Sequence, residues 1–203
     1  MKKIVFVSTA FLLTSFCIAQ QNIMIDNNGS PNEPSIAINP NNTNQLVAGS
    51  NINKVYRSND GGLTWTKSNL TSSYGVWGDP AIVADNNNNF YFTHLSNPTS
   101  GNFLDRIVCQ KSTNAGSTWS NGSFAGLTTN KEQDKQWISF DPINNNLYMS
   151  WTQFDSYGST DPSDKTIILF SKSTDFGLTW SVPIKLNEVD GSCIDNSTTV
   201  EGA

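Results

Sequence analysis

The sequence predicts an all-β protein made of about three similar four-stranded antiparallel units. A short turn motif occurs three times, and a pattern of two apolar runs around a turn precedes each copy. No helical periodicity follows the N-terminal segment. We expect the units at residues 33–70, 79–122 and 136–187.

Each predicted unit opens with two apolar runs joined by a turn rich in Asn and Pro. Short runs of this kind, separated by turn residues, are typical of a β-hairpin. The paired runs are Glu33–Pro40 with Gln45–Ser50, Asp79–Asp85 with Phe90–His94, and Gln136–Pro142 with Leu147–Trp151.

The repeated turn motif reads Ser-x-Asp/Asn-x-Gly-x-Thr-Trp, and it is expected to join the third strand to the fourth. Asp or Asn can accept nearby backbone N–H groups, Ser and Thr can add hydroxyl bonds, and Gly supplies a positive φ. The Trp can bury a large face between units. The motif residues are Ser58, Asp60, Gly62, Thr64, Trp65, Ser112, Asn114, Gly116, Thr118, Trp119, Ser173, Asp175, Gly177, Thr179 and Trp180.

Four-stranded units at this spacing are the blades of a β-propeller. The motif resembles the Asp-box (BNR) repeat of the sialidase-like β-propellers, and the resemblance covers nearly all of the chain after the N-terminal segment. It implies a partial propeller of the six-bladed type, with structural rather than catalytic Asp boxes on outer turns. We expect this chain to be the N-terminal part of such a propeller, with a fourth blade starting at residues 200–203.

The N-terminal segment has the layout of a secretory signal peptide over residues 1–19. Lys2 and Lys3 precede an apolar stretch, and Ala19 provides a small residue at the cleavage site. The stretch is shorter than the roughly 20 residues of a membrane span, although an N-terminal anchor is the alternative. The protein is therefore expected to be secreted, periplasmic or on the cell surface, without a membrane span after cleavage.

The composition argues against a nucleic-acid partner. The chain of 203 residues has a formal charge of −5, and phosphate binding needs a basic surface. Only 14% of residues are charged, against about 25% in average domains, so the surface is polar without being highly charged.

The sequence leaves the catalytic residues unknown. Sialidases of the family use three arginines to hold the substrate carboxylate, and this chain has only Arg57 and Arg106. The resemblance places ligands near the starts of the first strands, beside Lys135 and the loops at 94–102 and 155–164. The candidate ligand face consists of Glu33, Trp77, Asp79, Asp134 and Trp137.

Two interpretations of this face remain open. Paired carboxylates can serve acid–base chemistry in a glycosidase, and Trp can stack on sugar rings. Alternatively, Glu33-Pro34 and Asp79-Pro80 are only turns that lead into strands, and the two Trp residues belong to the core.

No metal and no cofactor is expected. His94 is the only histidine, so a site with several His ligands is excluded. Asp85 with Asn86–Asn89 offers oxygen atoms that suit Ca2+, but Asn-rich loops are more often turns. Cys109 and Cys193 could form one disulfide; the alternative for Cys109 is a small buried hydrophobic residue.

Two functional hypotheses follow. The first is an exported, sialidase-like glycoside hydrolase, or its N-terminal part, that acts on extracellular glycans. The second is a non-catalytic propeller that binds a glycan or a protein at the cell surface. Carbohydrate or glycoprotein is the expected partner, and self-association through the open edge of the last blade is also expected.

Overall fold

The computed structural model describes residues 21–194. The predicted signal peptide and the predicted start of a fourth blade therefore lie outside the described residues. Residues 21–194 form thirteen β-strands and no helix, and so contain no helix that could cross a membrane. The prediction of an all-β protein is confirmed.

Three four-stranded antiparallel sheets follow one another along the chain, in the strand orders β1-β2-β3-β4, β5-β6-β7-β8 and β9-β10-β11-β12. A last short strand, β13, pairs with β11. The predicted fourth strand of the third sheet, Thr179–Leu186, is shortened to two residues. The strands are β1 (Ser35–Ile38), β2 (Leu46–Ser50), β3 (Lys54–Ser58), β4 (Thr66–Asn69), β5 (Gly78–Ala84), β6 (Phe90–Leu95), β7 (Ile107–Ser112), β8 (Ser123–Ala125), β9 (Glu132–Asp141), β10 (Asn146–Phe154), β11 (Lys165–Ser173), β12 (Ile184–Lys185) and β13 (Gly191–Ser192).

The sheets pack face to face as blades. Strand β5 contacts both β1 and β9, so the first strands of the three blades lie side by side along one inner edge. This is the arrangement of three consecutive β-propeller blades, as the sequence predicts.

Apolar side chains fill the space between neighbouring blades. Val47 and Val55 of the first blade pack with Phe92 of the second, and Trp119 packs against this cluster. Between the second and third blades, Trp151 is fully buried and its Nε1 donates to Gln133 Oε1 over 2.7 Å. Burial of these apolar and aromatic side chains stabilises the stack.

The outward face of the third blade carries large apolar side chains. Trp137, Phe170 and Ile184 lie on one cross-strand row of this face, and Trp137 is 62% exposed. The same row of the second blade carries the smaller Ala81 and Cys109, which the third blade buries. The row Trp137–Phe170–Ile184 is called the outer row below.

The cysteines of the described region do not form a disulfide. Cys109 and Cys193 are both free and buried. Burial raises the pKa of the Cys109 thiol to about 12, and the side chain packs with Ala81 and Tyr91 between the second and third blades.

Candidate functional site

The motif turns and the starts of the first strands lie at opposite ends of each blade. In the first blade, Ile38 is opposite Leu46, which is opposite Ser58 at the start of the motif turn. Ser35, two residues after Glu33, lies at the other end of the same strands. The residues of the repeated turn motif are therefore remote from the candidate ligand face.

The first motif turn is closed by hydrogen bonds among its own side chains. Ser58 Oγ accepts the Gly62 N–H over 2.9 Å and donates to Asp60 Oδ1 over 2.7 Å. The Asp60 carboxylate accepts the hydroxyl and the N–H of Thr64 over 2.6 and 2.9 Å. These bonds to Thr64 and Ser58 lower the pKa of Asp60 to about 2.

The other two copies repeat this geometry with one change. Asp175 accepts the N–H and the hydroxyl of Thr179 over 2.9 and 2.5 Å. In the second copy, Asn114 accepts the Thr118 N–H over 2.9 Å, but its Nδ2 donates to the Thr118 hydroxyl over 2.8 Å. The side-chain bonds of Asp60, Asn114 and Asp175 thus stay within their own turns. The third turn also contacts the second blade, because Ser123 Oγ accepts the Trp180 indole N–H over 2.9 Å and donates to the Gly177 carbonyl oxygen over 2.5 Å.

At the opposite end, three residues occupy equivalent positions just before or within the first strands. Glu33, Asp79 and Lys135 have φ values of 49°, 52° and 51°, in the left-handed region that residues other than glycine rarely adopt. The repeated conformation turns the three side chains toward a common pocket of about 260 Å³, which is also lined by Gln136 and Trp137.

The side chains at this end form a charged group, the axial cluster, which consists of Glu33, Asp79, Asp134 and Lys135. Lys135 Nζ lies 3.0 Å from Asp79 Oδ2 and 3.7 Å from Glu33 Oε1. Asp134 is buried, and its Oδ1 accepts the Lys135 N–H over 2.8 Å. The carboxyl groups of Glu33 and Asp134 each interact with that of Asp79 and help to lower its pKa.

The three carboxyl groups have different affinities for protons. Burial, and then the charge of Asp79, raises the pKa of Asp134 to about 7. Burial acts to raise the pKa of Asp79 as well, but hydrogen bonds with Glu33 and Lys135 hold it below its usual value. The hydrogen bond with Asp79, together with partial burial, raises the pKa of Glu33. Protonated and ionised carboxyl groups can therefore coexist here near neutral pH.

Two further residues hold Asp79 in position. Asn51 Oδ1 accepts the Asp79 N–H over 2.7 Å, and a Cβ on Gly78 would lie only 2.2 Å from that oxygen. Gln136 is only 4% exposed; its Nε2 donates to the carbonyl oxygen of Asp79, and its Oε1 has no partner. The sequence analysis did not identify Asn51, Gly78 or Gln136 as site residues. Only Gly78, which precedes Asp79-Pro80, belongs to a recognisable local pattern.

The structure separates the two tryptophans of the candidate ligand face. Trp137 is 62% exposed at the rim of the pocket. Trp77 is 41% exposed, and its ring meets the edge of Phe103 at 5.0 Å, outside the pocket lining. Glu33, Asp79 and Trp137 therefore come together, with Asp134 behind them, and Trp77 does not join them.

Arg106 already has a carboxylate partner within the chain. Its Nε and Nη2 donate to the two oxygens of Asp105 over 2.8 and 2.6 Å. Its guanidinium also lies over the rings of Tyr74 and Phe124. Arg57 lies within β3. Neither arginine lines the pocket of the axial cluster.

The Asn-rich loop after β5 is closed by its own donors. The Asp85 carboxylate accepts hydrogen bonds from Asn87, Asn89 and Tyr91 over 2.7 to 2.9 Å. These donors occupy the oxygens that the Ca2+ hypothesis needs. No group of three or more His, Cys, Asp or Glu side chains within residues 21–194 is arranged to hold a metal ion.

His94 is a buried structural residue. Its Nδ1 lies 2.8 Å from the Leu95 carbonyl oxygen, and its Nε2 lies 3.1 Å from Gln110 Oε1. Burial lowers its pKa to about 4, so the ring is neutral at physiological pH.

Comparison with known proteins finds similarity in three dimensions only. No protein-family model matches the chain, and no curated protein matches it. Among solved structures, an α-L-arabinanase of Penicillium chrysogenum complexed with arabinobiose matches with a TM-score of 0.54 and 17% identity, over 75% of this chain and 48% of that one.

Two other solved structures are similar to the same degree. A protein of unknown function from Dyadobacter fermentans DSM 18053 matches with a TM-score of 0.56 and 16% identity, over 78% of this chain and 56% of that one. A polysaccharide lyase, the PL25 ulvan lyase bound to -[GlcA(1-4)Rha3S]-, matches with a TM-score of 0.52 and 14% identity, over 83% of this chain and 44% of that one. This chain spans about half the length of these proteins, and at such identities the likeness establishes the fold alone: three blades of a β-propeller.

Proposed function

We propose that this chain is an exported Asp-box propeller that binds extracellular glycans in the pocket of the axial cluster. The observation that carries the proposal is the convergence of Glu33, Asp79 and Lys135, one from each blade, beside the exposed ring of Trp137. Carboxylates accept hydrogen bonds from sugar hydroxyls, and an ammonium group donates hydrogen bonds to them. An aromatic ring packs on the apolar face of a sugar. Export rests on the signal-peptide pattern of residues 1–19.

The ligands of the neighbours in three dimensions support this choice of ligand class. The similar arabinanase was solved with arabinobiose, and the similar lyase with a polysaccharide fragment. The fold of this chain is thus compatible with a carbohydrate ligand.

A glycosidase activity at the same pocket is the second candidate. It is favoured by the raised pKa of Asp134, about 7, beside the lowered pKa of Asp79, because an acid and a base with separated pKa values can act together. The ion pair of Asp79 with Lys135 over 3.0 Å opposes it, because it engages the carboxylate that would act as the base. Binding is therefore the better-supported function.

The test is a glycan array followed by calorimetric titration of the best oligosaccharide. Trp137→Ala is compared with Leu178→Ala, which changes an exposed side chain at the Asp-box end of the same blade. We expect Trp137→Ala to weaken binding about tenfold, because it removes the apolar contact with the sugar, and Leu178→Ala to leave binding unchanged.

Absence of binding to any glycan would refute the proposal. Release of reducing ends from a bound glycan, lost in Asp134→Asn, would replace binding by hydrolysis as the function of the pocket.

A further inference from the structure

Gln136 contributes an unsatisfied hydrogen-bond acceptor to the axial pocket. Gln136 is 96% buried, as its 4% exposure implies, and its Nε2 is already engaged by the Asp79 carbonyl oxygen. This bond fixes the orientation of the amide, so the unpartnered atom is the acceptor Oε1. A buried acceptor without a donor is costly, and a ligand that brings a donor relieves that cost.

The charge of the pocket also favours a ligand that donates hydrogen bonds and carries a positive charge. Three carboxyl groups, those of Glu33, Asp79 and Asp134, surround the single ammonium of Lys135. Lys135 lies within 4 Å of Glu33 and Asp79, and its backbone N–H rather than its ammonium is bonded to Asp134. Asp134 holds its proton below about pH 7, so the carboxyl groups of Glu33 and Asp79 face one ammonium and the cluster carries no net positive charge. An additional cation is therefore favoured over an anion.

The basic side chains of Arg106 and Lys131 do not reverse this preference. Arg106 is paired with Asp105 at 2.6 Å, and Lys131 is paired with Asp155 at 2.6 Å. Recognition of a carboxylate or sulfate needs free, directed donors, ideally the guanidinium fork of arginine. No arginine lines this pocket.

We propose that the axial pocket selects glycans that carry a protonated amino group and rejects glycans that carry carboxylate or sulfate groups. The preferred ligands are oligosaccharides with free 2-amino groups. An ammonium offers three donors, which match the carboxylate oxygens and Gln136 Oε1. This inference rests on the proposed function, because it names the class of glycan that the same pocket binds.

The experiment compares three tetrasaccharides by titration calorimetry near pH 6, where an amine with a pKa of about 7 to 8 is protonated. They are a β-1,4-linked glucosamine tetramer, its fully N-acetylated form and a galacturonate tetramer. The first two differ only in the acetyl groups that remove the charge. We expect the amino tetramer to bind at least about fivefold more tightly than the acetylated one, and the galacturonate tetramer to bind most weakly.

Two variants change the charge of the cluster in opposite directions. Asp79→Asn removes a carboxylate and is expected to weaken binding of the amino tetramer about fivefold, whereas Lys135→Met removes the resident ammonium and is expected to strengthen it. A folding defect cannot produce the gain in affinity. Glu188→Gln, an exposed carboxylate outside the pocket, is the matched control and should leave affinity unchanged.

Equal affinities for the amino and acetylated tetramers, a preference for galacturonate, or occupation of the pocket by Ca2+ in place of the amine would overturn the inference. Binding of another glycan, such as an arabinan, without binding of the amino tetramer would overturn it while leaving the proposed function intact. Failure of every glycan to bind would refute both the inference and the proposed function.

Discussion

Asp175 accepts two hydrogen bonds from Thr179, one from the backbone N–H over 2.9 Å and one from the hydroxyl over 2.5 Å. The equivalent pair of the second blade keeps the backbone bond but reverses the side-chain bond, because the amide of Asn114 donates to Thr118. An amide can thus close the same turn without a charge.

The difference between the two pairs predicts a graded loss of stability. Asp175→Ala removes both bonds and should lower the free energy of unfolding by about 1–2 kcal/mol, whereas Asp175→Asn should cost less than half of that. Urea denaturation at pH 7 measures both, with Glu188→Ala as the exposed control. Equal losses for Ala and Asn would show that the carboxylate charge, rather than the shape of the turn, is the stabilising element.

The raised pKa of Asp134 predicts that stability falls as the pH rises from about 4 to about 7. In this window the folded state, with a pKa of about 7, holds a proton that the unfolded state, with a pKa near 3.8, has released. Asp134→Asn removes this linkage, so the variant should gain about 1–3 kcal/mol relative to the parent between pH 5 and pH 8.

Urea denaturation at several pH values checks this gain. The lowered pKa values of Asp60 and Asp141 act in the opposite sense, but only at lower pH, where these carboxylates become protonated. A constant difference between parent and variant from pH 5 to pH 8 would contradict the assignment of the proton to Asp134.

Gly78 is predicted to be essential for the shape of the pocket. Its φ is 115°, and a Cβ there would meet Asn51 Oδ1 at 2.2 Å, so Gly78→Ala must displace the side chain that fixes Asp79. Gly158→Ala is a matched control, because Gly158 also has a positive φ, 71°, but has open space around its Cβ position.

We expect Gly158→Ala to lower the free energy of unfolding by about 1 kcal/mol and Gly78→Ala to lower it by at least about 2 kcal/mol more. Thermal unfolding by circular dichroism compares the two variants, and calorimetry tests ligand binding. Similar losses for both would mean that Asn51 moves aside freely and does not hold Asp79.

The outer row predicts concentration-dependent association of the 203-residue chain. Trp137, Phe170 and Ile184 present an apolar surface on the same cross-strand row that is buried in the second blade. Ile184→Lys should reduce association, which sedimentation at two concentrations measures. A compact monomer at both concentrations would contradict the prediction.

The local parts of this fold could be predicted from the sequence, whereas the pocket could not. The motif around Asp60 and Asp175 predicts turns in which the carboxylate bonds to donors a few residues away, so the pattern contains the partners of these carboxylates. The hairpin patterns likewise indicate the paired first and second strands.

Contacts between blades are not indicated by any comparable pattern in the sequence. The ion pair between Lys135 and Asp79 joins residues from different blades, and it depends on how β5 and β9 stack rather than on any local pattern. Asn51 and Gln136 likewise form hydrogen bonds with the backbone of Asp79, although both are distant from it in sequence. The family resemblance predicts Trp77 on the ligand face, but its ring packs against Phe103, a contact that no local pattern indicates.

The left-handed backbone at Glu33, Asp79 and Lys135 has a further consequence. At these positions the main chain, through bulges and neighbouring prolines, sets the geometry, and the side chains project away from the packed faces of the blades. Acidic residues occupy this position in the first two blades and Lys135 occupies it in the third, and strands of the same kind follow in each case. Each blade therefore contributes one interchangeable side chain to the pocket, and recognition can diversify by single substitutions while the scaffold stays the same.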